Sequence, residues 1–231
     1  MDFKERYSRT ALLLNDKQIE KIKEAHVMLF GLGGVGSYVA EGLARLGVGH
    51  LTIIDNDCVV QSNINRQLPA LYSTIGMQKT AVVEARLKDI APDMKITTID
   101  AFYLPQTPVP IEEGCIVVDA IDTISAKIDI AVVCKNKNIP LVSCMGMGNR
   151  LDPTQITIGD LFETEKCPLC RVMRRELRKR NVDKLRVVYS KEQAISPTTK
   201  EGEKIVPGSI SFVPSVAGLY LAYDVMKIII G

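Results

Sequence analysis

Carboxylate, amide and guanidinium side chains are concentrated in residues 55–67, which read DNDCVVQSNINRQ. Asp55 stands where a dinucleotide-binding protein places the acid that accepts hydrogen bonds from ribose hydroxyls. An enzyme that transfers hydride to nicotinamide leaves the phosphates intact and has no evident use for Asn63, Asn65 and Arg66 beside that acid. An arginine can clamp phosphate oxygens, and the asparagines can bind the same group or orient the arginine. The segment therefore indicates chemistry at a nucleotide phosphate, with a plain polar turn as the alternative.

A glycine-rich segment and a lysine support the same interpretation. Residues 31–36 read GLGGVG, between a predicted strand and a predicted helix. Glycines at this spacing allow a tight turn and let backbone N–H groups approach phosphate, although the pattern alone fits NAD equally well. Lys79, in GMQKT, begins a predicted helix, where its ammonium and the helix dipole together favour a polyphosphate.

Two carboxylates, Asp119 and Asp122, follow the fourth predicted strand in VVDAIDT. One of them is expected to cap the next helix, and an exposed carboxylate there can hold Mg²⁺ beside the phosphates. We favour Asp122 as the magnesium ligand. A single strand-end aspartate is more often a cap than a ligand, so this assignment depends on the rest of the site.

Buried-type strands alternate with helices over residues 1–150. Strands are predicted at HVMLFG, HLTIID, KITTID, CIVVDAID and PLVSCMGMG, with helices at SYVAEGLARLGVG, KTAVVEARLKDIAP and TISAKIDIAVVCKNKN, and one or two amphipathic helices over residues 8–24. This order predicts an α/β fold with a doubly wound, mostly parallel, Rossmann-like sheet. A nucleotide would bind at the carboxyl ends of the strands.

The pattern changes at about residue 151, which predicts an α+β extension over residues 151–231. DPTQITIGDLFET indicates a short strand pair, CPLCRVMRRELRKR a helix, and VPSVAGLYLAYDVMKIIIG a final apolar helix. Between the two helices, residues 189–209 are expected to form a long polar loop of the kind that covers or binds a ligand. We expect the core at 1–150 and this extension to form one structural domain.

Composition restricts the class of protein. With 231 residues, of which 46% are hydrophobic and 24% charged, the chain can bury a sizeable core, which excludes disorder as the overall state. Asp and Lys interrupt the apolar runs, so none is expected to reach the roughly 20 residues of a membrane span. The charged start MDFKERYSRT shows no signal pattern, and the six cysteines lie mostly in apolar runs. We expect a cytoplasmic protein with reduced thiols.

Taken together, six motifs resemble those of the ATP-dependent adenylating family related to the ubiquitin-activating enzymes, which includes bacterial sulfur-carrier activators. The motifs are RYSR, GLGGVG, DND, SNINRQ, GMQK and DAID. The six motifs occur in the family's order between residue 6 and about residue 150. The resemblance implies an ATP site at the positions of Gly33, Asp55, Asn63, Arg66, Lys79 and Asp122. It also implies a homodimer in which Arg9 reaches the partner's site.

From the motifs and the resemblance we predict these ATP-binding residues: Gly31, Gly33, Gly34, Gly36, Asp55, Asp57, Asn63, Arg66, Gln67, Lys79 and Asp122. The predicted catalytic residues are Arg9, Arg66, Lys79 and Asp122.

The second half of the chain is similar to the branch of this family that dehydrates threonylcarbamoyladenosine in tRNA. GDLFETEKCPLCRVMRRELRKR, VVYSKE and GSISFVPSVAG carry this similarity. Sulfur-carrier activators usually have two C-x-x-C pairs for zinc, whereas this chain has only Cys167 and Cys170. The dehydratase branch commonly has Asp-Pro-Leu-Ala at this place, so CPLC departs from that pattern too. We favour packing thiols without stoichiometric zinc, over an intersubunit metal site or a redox pair.

Positive charge is concentrated in residues 171–186, which hold eight Lys or Arg and two acidic residues, although the whole chain has a net charge of only +2. Such a segment suits contact with a phosphate backbone, and a solvated helix face is the alternative. The candidate tRNA contacts are Arg171, Arg174, Arg175 and Arg178.

The resemblance implies an adenylate-forming enzyme of the ligase class. ATP would activate the carboxylate of threonylcarbamoyladenosine as an acyl-adenylate, and ring closure would then release AMP. The second hypothesis is an adenylyltransferase for a ubiquitin-like sulfur carrier, and the third is a nucleotide-regulated scaffold without turnover. A sulfur-transfer protein remains an open partner.

Overall fold

A computed structural model describes residues 3–107, 109–195 and 207–231 of the chain. The strands are β1 (His26–Phe30), β2 (His50–Ile54), β3 (Lys95–Ile99), β4 (Ile116–Asp119), β5 (Leu141–Cys144), β6 (Ile156–Asp160) and β7 (Arg186–Ser190). The helices are α1 (Phe3–Arg6), α2 (Asp16–Glu24), α3 (Gly36–Leu46), α4 (Lys79–Ile90), α5 (Ile124–Asn136), α6 (Pro168–Arg178) and α7 (Phe212–Ile230).

The strands form one sheet in the order β3-β2-β1-β4-β5-β7-β6, and every neighbouring pair is parallel except β6 with β7. The central strands are short apolar runs because helices cover both faces; all four residues of β4 are buried. The predicted doubly wound α/β sheet is therefore confirmed, and strands of the extension continue it.

The predicted strand pair in DPTQITIGDLFET is wrong, because the segment contributes only β6. The carboxylates of Asp152 and Asp160 accept the backbone N–H groups of Thr154 and Phe162, which folds both ends into 3-10 turns. The partner of β6 is β7. The predicted loop over 189–209 is also wrong in part, since β7 includes its first two residues, and residues 196–206 lie outside the described chain.

The final helix, α7, has 19 residues and a mean hydropathy of 1.5, so by length and composition alone it could cross a membrane. The expectation that no apolar segment approaches that length is thus corrected: Asp224 and Lys227 interrupt the sequence without ending the helix. In the structure α7 packs closely on α3, and a Cβ at Gly218 would lie 2.4 Å from the Val35 carbonyl oxygen. The buried Asp224 pairs with Arg186 of β7. A core helix of a globular protein has this composition.

Two histidines stack at the amino ends of β1 and β2. The rings of His26 and His50 are parallel, with centroids 3.7 Å apart, and each Nε2 lies within 3.1 Å of a threonine hydroxyl. Burial, then the neighbouring His26 and Lys95, lower the pKa of His50 to about 4. The folded protein therefore favours the neutral form of the His50 ring.

We predict that His50→Gln reduces the loss of stability in mild acid. Because the folded pKa lies below the ordinary value of about 6.5, the unfolded chain binds more protons between the two values. The stabilisation is thus present above about pH 6.5 and is lost as the pH falls toward 4. With allowance for solvent screening, the unmodified chain should lose about 1 kcal/mol more than the variant between pH 7 and pH 5. Urea unfolding at both pH values measures this, and equal losses would contradict it.

Candidate nucleotide-binding site

The glycine-rich turn follows β1 and leads into α3. Gly31 adopts φ +91°, and a Cβ there would lie 2.8 Å from the carbonyl oxygen of Ala120, just after β4. A Cβ at Gly36 would lie 1.8 Å from the carbonyl oxygen of Gly31. Backbone therefore packs directly on backbone, and both positions require glycine.

In the middle of the turn, Gly33 and Gly34 do not pack against backbone as Gly31 and Gly36 do. Gly33 has an open side, and Gly34 is covered by side chains. A Cβ at Gly33 would have Gln67 Nε2 at 3.8 Å as its nearest atom. A Cβ at Gly34 would have the side chains of Pro214 and Arg66 at 3.2 and 3.3 Å. The open side at Gly33 leaves room for a phosphate beside the start of α3.

Asp55, directly after β2, is fixed against this turn. One carboxylate oxygen accepts the N–H of Leu32 at 2.7 Å and the other accepts the N–H of Asp57 at 2.8 Å. Each oxygen keeps acceptor capacity for a ribose hydroxyl. The structure thus places the predicted ribose-binding acid beside the predicted phosphate-binding glycines.

Lys79, the first residue of α4, lies between two of the predicted acids. Its Nζ is 2.7 Å from Asp57 Oδ2 and 4.0 Å from Asp55 Oδ1, and its side chain is only 5% exposed. Asp57, the partner of Lys79 in the shorter contact, is exposed. A triphosphate that approaches Lys79 would therefore meet or displace the carboxylate of Asp57. The pair holds the ammonium in place before any nucleotide binds.

Arg66 lies partly buried beside the turn and is oriented by its sequence neighbour. Its Nη1 donates to Asn65 Oδ1 at 2.8 Å and to the Ser62 carbonyl oxygen at 2.9 Å. Asn65 also donates to the carbonyl oxygen of Ser209 at 2.9 Å. Asn65 was absent from the predicted ATP-binding residues, although its position beside Arg66 suggested an orienting role.

Two buried amides lie next to Arg66. Asn63 Oδ1 accepts the N–H of Val60 at 3.2 Å, which fixes the short 3-10 turn that carries the arginine. Gln67 Oε1 is buried and has no hydrogen-bond partner in the described chain. A buried acceptor without a partner suggests a place that a ligand group completes.

The two carboxylates after β4 have different environments. Both oxygens of the buried Asp119 accept from Lys127 Nζ at 2.9 Å, and the hydroxyl of Ser143 donates to the same carboxylate. The expected helix cap is wrong, because α5 has Thr123 at its N-cap, without a side-chain cap bond. Sequence reasoning missed Lys127, which lies on the buried face of α5.

Asp122 is exposed, and the Thr123 hydroxyl 3.5 Å away makes a weak contact with it. Its carboxylate is therefore available to an external cation, whereas that of Asp119 is neutralised within the fold. A carboxylate oxygen that keeps its lone pairs is the kind of ligand Mg²⁺ takes beside phosphates, so the chain fits a magnesium ion at Asp122.

Arg9 is exposed at the start of a 3-10 turn. Leu12 and Leu13, in and just after the same turn, are 78% and 87% exposed. Two large apolar side chains at such exposure form a surface suited to a second polypeptide.

Helix α6 presents its four candidate arginines in different ways. Arg174 faces inward, where its Nη1 donates to the carbonyl oxygens of Leu161 and Thr164. The guanidinium of Arg178 lies 5.4 Å from the centre of the Phe162 ring. Arg171 is exposed, whereas Arg174 is partly buried and already committed to backbone acceptors.

A carboxylate on the same helix offsets part of the charge. Glu176 pairs with Arg175, Lys179 and Arg180 at 3.0–3.2 Å, and hydrogen bonds from Lys179 and Arg180 are the main reason that its pKa falls to about 2. Exposed pairs of this kind are weak, so a polyanion could replace the glutamate as their partner.

The fold and this glycine, acid and arginine arrangement define a nucleotide-binding protein of the adenylating type. The chain belongs to the ThiF family, which it matches over residues 7–231.

Similar proteins include the tRNA threonylcarbamoyladenosine dehydratase of Bacillus subtilis, which is 38% identical over 95% of this chain and 92% of its own length. Crystal structures of the Escherichia coli tRNA N6-threonylcarbamoyladenosine dehydratase with ATP and with AMP superpose with a TM-score of 0.88 at 32% identity. That similarity covers 98% of this chain and 94% of the other. The molybdopterin-synthase adenylyltransferase of Escherichia coli is 32% identical over 71% of this chain and 66% of its length.

We predict that alanine at Gly33 and at Gly36 has opposite effects. Gly33→Ala should keep the Tm within a few degrees, because the added Cβ has space, but should weaken ATP binding about tenfold or more by occupying the phosphate's position. Gly36→Ala should destabilise or unfold the protein, because its Cβ collides with the carbonyl oxygen of Gly31. Thermal unfolding and calorimetric titration with ATP distinguish the two effects. Unchanged ATP affinity in Gly33→Ala would reject the phosphate site.

Proposed function

We propose that this chain uses ATP to dehydrate threonylcarbamoyladenosine in tRNA to its cyclic form, releasing AMP and pyrophosphate. The observation that carries the proposal is the nearly full-length similarity, in sequence and in structure, to dehydratases of that name, one of them with ATP or AMP bound. The arrangement of Gly33, Asp55, Arg66 and Lys79 supports an ATP site in this chain.

The first step joins two anions, the substrate carboxylate and the triphosphate. Attack of the carboxylate on the α-phosphorus forms the acyl-adenylate and expels pyrophosphate, so positive charge must surround the phosphates. Arg66, held by Asn65, and Lys79, held by Asp57, supply charge in defined positions. Magnesium at Asp122 would neutralise further charge on the phosphate oxygens.

The second step needs no nucleophile from the protein. The carbamoyl nitrogen of the same nucleoside attacks the activated carbonyl, loses its proton, closes the ring and expels AMP. Because nucleophile and acyl group belong to one molecule, the effective concentration is high. The two steps together remove one water from the nucleoside and convert ATP to AMP and pyrophosphate.

We also infer a homodimer in which Arg9 serves the partner's ATP site. Support comes from the exposed Leu12 and Leu13 beside it, and from Phe212 and Tyr223 of α7, which are 62% and 48% exposed.

A cytoplasmic location agrees with six unpaired cysteines.

The alternative, adenylation of a sulfur-carrier protein, is supported by similarity to the molybdopterin-synthase adenylyltransferase. That similarity omits about a third of the adenylyltransferase and more than a quarter of this chain. The dehydratase similarity includes α6 and α7, so it accounts for more of the molecule.

We predict that Arg66→Ala lowers AMP formation from ATP and modified tRNA by about 10²-fold or more, because it removes positive charge from the transition state. The fold should persist, since the side chain is partly exposed and its hydrogen bonds within the described chain go to Ser62 and Asn65. Arg45→Ala, on the surface of α3, is the matched control and should be nearly fully active. Near-normal turnover of Arg66→Ala with intact circular dichroism would overturn the site.

We predict that replacing Arg171, Arg175 and Arg178 with alanine weakens tRNA binding and flattens its dependence on salt. Each lost phosphate contact should reduce the slope of log affinity against log salt concentration by about 0.7 to 0.9. Arg174 is left in place because it bonds the backbone. ATP affinity at one salt concentration should stay the same.

The control removes three exposed cations elsewhere, by Lys17→Ala, Arg45→Ala and Lys88→Ala, and should keep both the affinity and the slope. Equal effects of the two triple variants would mean that total charge, and not α6, governs binding. A wild-type protein that ignores modified tRNA and adenylates a carrier-protein tail would replace the dehydratase proposal with its alternative.

A further inference from the structure

The cysteines of CPLC lie at the start of α6 and have no part in the chemistry described above. Cys167 is the N-cap residue and Cys170 lies in the first turn. Their exposures are 4% and 0%, and both are free thiols. A C-x-x-C pair at a helix amino terminus is the arrangement in which the first thiol is most readily ionised.

The two thiols influence each other's ionisation. Cys170, and to a lesser extent Arg150, outweigh burial and lower the pKa of Cys167. Cys167 and burial raise the pKa of Cys170. Of the two thiols, Cys167 therefore ionises more readily.

A buried arginine completes this cluster. Arg150 is 3% exposed and also contributes to the lowered pKa of Cys167. Its Nε donates to the Glu192 carbonyl oxygen and its Nη1 to that of Gly146, whereas Nη2 is buried without a hydrogen-bond partner in the described chain. Two packing thiols need no buried cation, but a thiolate does.

The surroundings do not make a metal site within one subunit. Among the described residues, no group of three or more His, Cys, Asp or Glu is placed to hold a metal ion.

A cavity lies against the two residues that precede the pair. It has a volume of about 320 Å³ and is lined by Glu163, Glu165, Lys166, Tyr189 and Lys191. This is ample for a small polar molecule such as a hydroperoxide, which needs little more space than water. The backbone N–H of Cys167 donates to the carbonyl oxygen of Glu165, one of the residues that line this cavity.

We propose that Cys167 and Cys170 are a dithiol–disulfide pair that a hydroperoxide oxidises. The thiolate of Cys167 attacks the peroxide oxygen, forming a sulfenic acid and releasing hydroxide, or alkoxide from an organic peroxide. Cys170 sulfur then attacks Cys167 sulfur, loses its proton, and water leaves as the disulfide forms. With hydrogen peroxide, two thiols are oxidised to one disulfide while the peroxide is reduced to two waters. The inference does not depend on the proposed tRNA chemistry.

The test uses the whole protein and hydrogen peroxide. Trypsin cuts after Lys166 and Arg171, so both cysteines lie in one peptide, CPLCR. After limited peroxide and alkylation of remaining thiols, we expect this peptide without alkyl groups and lighter by two hydrogens. A dithiol reductant should restore double alkylation. The exposed Cys58 is the control within the same molecule, because it has no neighbouring cysteine in sequence and should not form this product.

Variants separate a redox pair from packing thiols. Cys170→Ser should trap sulfenic acid at Cys167, detectable with a dimedone probe, whereas Cys167→Ser should leave Cys170 unoxidised. Arg150→Met should slow the peroxide reaction about tenfold or more below pH 7 and move its pH midpoint upward, and Arg150→Lys should retain most of the rate. Probe labelling, reaction rate and pH midpoint all depend on the thiolate of Cys167. If these residues served only in packing, the substitutions would not change those quantities in this way.

Two results would overturn the proposal. One is a peptide that stays fully alkylable after peroxide has oxidised Cys58, which would leave packing thiols. The other is purified protein with stoichiometric zinc that Cys167→Ser removes, which would indicate a metal site shared between subunits. If Arg150→Met fails to fold, the wild-type peptide measurement still decides.

Discussion

Three backbone segments meet at contact distance where β1 ends, and the site depends on that approach. The N–H of Gly31 donates to the Ile54 carbonyl oxygen of β2, and the N–H of Ala120 donates to the Phe30 carbonyl oxygen of β1. A side chain at Gly31 or Gly36 would separate these segments. Their contact sets where α3 begins and where the carboxylate of Asp55 lies, so the geometry of the candidate site follows from a packing constraint.

The fold divides similar polar groups between structural and functional roles. Asp119 forms a buried ion pair with Lys127, so Asp122 is the one of the two aspartates whose carboxylate is exposed. A buried ion pair adds little net stability, but loss of one partner leaves an uncompensated charge that costs several kcal/mol. Arg174 is committed to backbone carbonyls in the same way. Groups with unused hydrogen-bonding capacity, such as Gln67, therefore indicate where ligands bind.

The extension is connected to the rest of the fold through two asparagines. Asn65 bridges Arg66 to the Ser209 carbonyl oxygen. Asn149, in the left-handed region at φ +59°, exchanges two hydrogen bonds of 2.6 and 2.7 Å with Gly208. The segment before α7 is therefore held both to Arg66 and to the loop after β5.

The sequence determined the elements and the nucleotide motifs, because both are local. Continuous apolar runs specify buried parallel strands, and the glycine spacing specifies the turn and the start of α3. Only the tertiary structure decided the pairing of β6 with β7, the roles of Asp119 and Arg174, and the place of Arg150 beside Cys167. Those partners are separated along the chain, and which polar groups become buried together depends on how the elements pack, which no local pattern encodes.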